Sequence, residues 1–223
     1  MARIYLALAG FAGCLLIANF AIGIWVGDLN GGAAKRQTEA IRLRQARGGG
    51  DEQQITEARQ SLKAAVDELA PIQKRHRVHF LLGVLSALVC ILVNGIAMTY
   101  FIGSSKWCAE VVEAYRLDVS LAGRSRALKR RSFPWTFSGV LMVVVIVALG
   151  GASDPATQIA SSADWVTWHW VVAILGSLWI MVSLLNQAGL IGAHYEVINE
   201  IVAAVEERKS AIAAQEGSDS NAT

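Results

Sequence analysis

The stretch from Trp165 to Ala213 constrains this chain more than any other. Trp165–Leu190 is almost wholly apolar and carries no charged residue. It exceeds the roughly 20 residues that a helix needs to cross a bilayer. From Ala193 the chain turns polar, yet Tyr195, Ile198, Val202, Val205 and Ile212 recur at helical spacing and no proline intervenes. That pattern predicts a membrane helix that runs on into water with one apolar stripe. An earlier stretch, His79–Ala122, has the same design.

Four apolar runs, 4–26, 78–102, 134–151 and 165–190, predict transmembrane helices. Charged residues make up only 17% of the chain, against about 25% in soluble domains. The expected fold is therefore an all-α integral membrane protein, multi-pass in the cell membrane. It has four transmembrane helices with long juxtamembrane helical extensions on both sides. The first run exceeds the apolar core of about 7–15 residues in a cleaved signal peptide, and is read as a retained span.

Residues 33–70 predict an extramembrane helical hairpin, with Gly31-Gly32 as a break before it and Gly48–Gly50 as its turn. Ile55, Ala58, Leu62, Ala65, Leu69 and Ile72 alternate in steps of three and four, the seam of a short coiled coil. Residues 104–122 predict an amphipathic extension with Cys108, Val112, Tyr115, Val119 and Ala122 on one face, stopped by Gly123. Residues 193–213 predict its C-terminal counterpart, and 217–223 a disordered tail.

The net charge of +2 and the lack of a basic stripe with aromatics exclude nucleic acid as a partner. Arg124, Arg126, Lys129, Arg130 and Arg131 form a basic flank without an acid, suited to lipid headgroups at the bilayer surface. Seven Lys and Arg lie between Lys106 and Arg131 and none between 151 and 164, which predicts both termini in the cytoplasm. Cys14, Cys90 and Cys108 show no C-x-x-C or zinc spacing.

No Asp, Glu, Lys or Arg lies inside a span, which argues against proton relays and charged-ion pathways. No hydrolase or nucleotide motif is present either, so the sequence leans away from an enzyme. The first expectation is a membrane scaffold or accessory subunit. It would bind protein partners or a second copy through Cys108, Val112, Tyr115, Ile198, Val202 and Val205.

The alternative rests on histidines. Spans two and four start on the same membrane face, which brings His76, His79 and His169 to one side. Laying His79–Ala122 over His169–Ile212 needs no gap, gives seven identities and aligns His79 with His169, as an internal repeat would. The two imidazoles could then hold haem b, or with His76 a zinc or copper ion. Against this, His169 stands among Trp165, Trp168 and Trp170, ordinary interfacial company. His194 reads as a boundary residue. A third expectation is a transporter of neutral solutes using Asn94 and Asn186, with Asn19 and Gln187 as further polar residues in the spans.

Overall fold

A computed structural model describes residues 2–159 and 161–220, with the side chains of Ala2 and 216–220 excepted. The described residues are all-helical, without a strand: α1 (Ala2–Trp25), α2 (Leu29–Gly49), α3 (Glu52–Ala114), α4 (Val119–Ser153), a 3-10 turn (Pro155–Thr157) and α5 (Ser162–Ser220). Four of these, α1, α3, α4 and α5, are long and apolar enough to cross a membrane. Many of their large apolar side chains face outward. Phe80, Leu81, Leu88 and Leu92 of α3, with Leu175, Leu178 and Leu185 of α5, are between 56% and 66% exposed. Such a surface suits hydrocarbon as its solvent.

Three boundaries differ from the sequence expectation. First, Gly31-Gly32 is no break. Asp28 caps α2 by accepting the Gly31 N–H at 2.8 Å, and both glycines lie in the first turns. Gly32 is instead a point of close approach, since a Cβ there would stand 2.7 Å from Leu69 Cδ1. Gly50, in the left-handed region at φ 74°, closes α2 by donating to the Ala46 carbonyl.

Second, the hairpin's second arm, the second span and the start of its extension form one 63-residue helix, about 95 Å long. Pro71 and Lys74–Arg77 lie inside it without ending it. Along its first part Ala58, Ala65 and Leu69 are buried, and Glu68 pairs with Lys35 of α2.

Third, the 104–122 extension does not reach Gly123. α3 stops at Ala114, where Arg116 takes a left-handed conformation (φ 52°) and the Leu117 N–H returns to the Val112 carbonyl at 2.9 Å. This is the usual helix-ending geometry with arginine in glycine's place. Leu117 packs against an apolar cluster, which offsets the strain. Asp118 then accepts the Ser120 N–H at 2.8 Å as α4 begins, so Gly123 and Pro134 both lie within a 35-residue helix. Of the expected disordered tail, residues 217–220 belong to α5 and 221–223 lie outside the described residues.

Contacts divide the chain into two compact units. The first comprises Met1–Phe11, Cys90–Leu141 and Trp179–Thr223, and the second Ala12–Val89 with Met142–Leu178. The first unit buries Cys108, Val112 and Ala122 with Val197, Ile201 and Val205, while Tyr115 and Ile198 pack at the edge of that cluster. Val202, expected in this face, is instead 46% exposed. The inward stripe of α5 runs through His194, Val197, Ile201 and Val205. Of the stripe read from Tyr195, Ile198, Val202, Val205 and Ile212, Val205 lies in it, Ile198 packs at its edge, and Tyr195, Val202 and Ile212 are exposed.

Leu69→Asp places a carboxylate in the α2–α3 contact at Gly32. It should lower thermal stability in detergent by about 2–5 kcal/mol, whereas the same change at exposed Val66 should cost far less; circular dichroism melts of both variants check this.

Candidate functional site

The second unit brings two histidines together. His79 on α3 and His169 on α5 have ring centroids 6.5 Å apart, with the ring planes at 70°. Each ring lies against a glycine of another helix. A Cβ at Gly23 of α1 would stand 2.9 Å from His79 Cε1, and one at Gly150 of α4 would stand 3.2 Å from His169 Cε1. Any side chain at Gly23 would collide with the imidazole, so the glycine is what lets the ring approach the α1 backbone.

That approach fixes a tautomer. His79 Nδ1 lies 3.2 Å from the carbonyl oxygen of Asn19, four residues before Gly23. A carbonyl only accepts, so Nδ1 carries the proton and neutral His79 presents an unprotonated Nε2. His169 has a corresponding neighbour in the backbone of Ile146, four residues before Gly150. Its Nδ1 is buried and makes no hydrogen bond of ordinary geometry. Phe20 of α1 and Trp170 of α5 meet edge to face, with centroids 5.8 Å apart.

His76 does not join the pair. Its Nε2 meets Asp154 Oδ2 at 3.1 Å, in a half-buried contact with the residue that also caps the 3-10 turn. Among the described residues no group of three or more His, Cys, Asp or Glu could hold a metal ion. Of the three histidines expected for a zinc or copper site, His76 thus meets a carboxylate while His79 and His169 face each other. Beside it Arg75 donates to the Trp25 carbonyl at 2.9 Å and lies over the Trp25 ring at 5.2 Å, tying the end of α1 to α3.

The first unit holds two buried polar networks. In one, Gln187 uses all four of its side-chain hydrogen bonds. Its Oε1 accepts from Tyr5 (3.2 Å) and Thr136 (3.3 Å), and its Nε2 donates to Asn94 (2.9 Å) and Ser183 (3.0 Å). α1, α3, α4 and α5 all contribute, and Gly139 of α4 admits the cluster, since a Cβ there would be 3.0 Å from Asn94 Oδ1. Asn186, paired with Asn94 in the transport reading, is exposed and donates to its own helix at Val182. Asn94 meets Gln187 instead, because the inward face of α5 falls on 187 and not on 186.

In the other network His194, expected as a boundary residue, is fully buried. Its Nε2 lies 2.8 Å from Ser125 Oγ and its Nδ1 3.2 Å from Tyr100 Oη, and Ser125 meets Ser105 at 2.9 Å. Both ring nitrogens are engaged, which marks a structural role. The sequence signal for it was the spacing, since His194, Val197 and Ile201 follow one another at steps of three and four. Of the basic flank, Arg124 forms a two-pronged pair with Glu200, one prong at 2.9 Å, and holds that carboxyl below its usual range. Arg126, Arg130 and Arg131 are exposed and Lys129 is half-buried.

Gln187→Leu strips four groups of their shared partner and should lower stability by about 1–3 kcal/mol. Asn186→Leu should change it by under about 0.5 kcal/mol; thermal melts of the two variants in one detergent separate the roles. Compared with family models, curated proteins and solved structures, the chain matches none.

Proposed function

We propose that the protein is an integral membrane electron carrier that holds haem b between His79 and His169. The observation that carries this reading is the 6.5 Å separation of the two rings. Two imidazoles on opposite sides of one metal, each with a bond of about 2 Å, place their nitrogens about 4 Å apart and their ring centres about 6–6.5 Å apart. The supporting chemistry is that of a ligand shell. A ligating histidine ordinarily donates its other N–H to a carbonyl or carboxylate, as His79 does to Asn19. His169 Nδ1 is buried and without a partner among the described residues, so only His79 shows this contact.

Two nitrogens are too few for zinc or copper, which take three or four protein ligands. They suit an iron whose remaining positions a porphyrin fills. Haem bound there would supply a one-electron couple, which needs none of the charged residues that the spans lack. Lys74 and Arg77, just before His79 in sequence, are cations suited to the porphyrin's carboxylates. With both termini in the cytoplasm, His79 and His169 stand towards the outer face.

The scaffold reading loses much of its sequence argument, because Cys108, Val112 and Val205 cover one another within the chain. Val119, Tyr195, Val202 and Ile212 remain exposed as a partner-facing surface.

Protein expressed with ample haem precursor and purified in detergent should show a Soret band and a sharp reduced α-band. His79→Ala and His169→Ala should each abolish both bands, while His76→Gln should keep them. Gly23→Val and Gly150→Val should cut haem occupancy severalfold by pushing a ring off its backbone seat. A wild-type protein that stays colourless after haem titration refutes the reading. Sidedness is read by reporters at Thr223 and Gly49, which should report opposite compartments.

A further inference from the structure

The cations of α4 do not all face the same surroundings. Pro134 has no N–H, so the carbonyl of Arg130, four residues earlier, loses its helical donor. Beside this break lies a shallow, open groove lined by Ile102 of α3 and by Lys129, Arg130, Phe133 and Pro134 of α4.

We infer that this notch binds an anionic phospholipid, with its phosphate held by Lys129 and Arg130 and an acyl chain laid along α4. Between Val119 and Ser153 there is no acidic residue, while among the described residues only Arg124 of the flank has its charge matched, by Glu200. Lys129 and Arg130 make no ion pair among the described residues. An anion from outside is what their two charges call for.

The apolar argument selects the kind of anion. Phe133, Phe137 and Leu141 follow at steps of four, and all are about half exposed or more (49%, 64% and 51%). They form a track running from the two cations along α4, and Ile102 supplies the facing wall at the notch. Free phosphate would use the cations and leave the track bare. An acidic peptide would have to enter the bilayer to reach Phe137 and Leu141. A phospholipid satisfies both halves of the site. This inference rests on α4 crossing the membrane and is independent of haem.

The test is native mass spectrometry of the full chain in detergent, titrated with phosphatidylglycerol and phosphatidylcholine. One phosphatidylglycerol should be retained in preference. The double variant K129Q/R130Q should weaken that binding about 10- to 30-fold, and R126Q/R131Q by under about threefold. Should the double variant not fold, Lys129→Gln and Arg130→Gln alone are each expected to weaken binding about fivefold. Phe137→Ser should weaken phosphatidylglycerol retention without changing any response to inorganic phosphate. Equal retention of the two lipids, equal loss in the R126Q/R131Q control, or full displacement by inorganic phosphate at a concentration equal to that of the lipid overturns the proposal.

Discussion

Four helices are long and apolar enough to cross a membrane, and a helix in hydrocarbon finds no hydrogen bonds around it. A polar side chain in such a helix must find its partner within the protein. Gln187 does so completely, through Tyr5, Asn94, Thr136 and Ser183 on four helices. Because the partners come from different elements, satisfying one amide also fixes the register of the helices around it. The same logic lets Gly139 stand where any side chain would keep α4 from the Asn94 amide. Apolar packing alone would leave these helices free to slide, since lipid tails are as good a neighbour as leucine.

Against that background the histidine pair stands apart. His194 is fully buried with both nitrogens bonded, which is what a structural imidazole in a dry site needs. His79 uses one nitrogen and keeps the other free, and His169 has a buried nitrogen with no partner. Their glycine seats correspond too, His79 lying over Gly23 and His169 over Gly150. A purely interfacial histidine would have no need of such a seat.

The apolar runs were legible because helices in hydrocarbon must be long and uncharged, so α1, α3, α4 and α5 could be counted from composition. The seam through Ala58, Ala65 and Leu69 could be read from its three- and four-residue steps. What the sequence hid were the places where tertiary contacts outweigh local preference. Arg116 ends α3 in a conformation favoured by glycine, because Leu117 is rewarded by burial, whereas Gly123 continues a helix. Gly32 looked like a breaker and is a seat for Leu69. On α5 the inner face includes Val205 of the stripe read from the sequence, but Tyr195 and Val202 are apolar and exposed while His194 is polar and buried. Periodicity shows that a helix has an inner face; only packing shows which of two adjacent stripes it is.

The unbroken course of α3 also restricts how such a chain can change its length. Between Glu52 and Ala114 there is no turn to absorb an added or missing residue. One insertion would rotate everything beyond it by about 100°, swinging Asn94 or Cys108 out of its contacts. Substitution is therefore the tolerated currency of variation along this rod. Length differences should gather in the short joints at Gly27-Asp28, Gly50-Asp51, Arg116–Asp118 and the segment after Asp154, where a residue gained or lost leaves the phase of each helix intact.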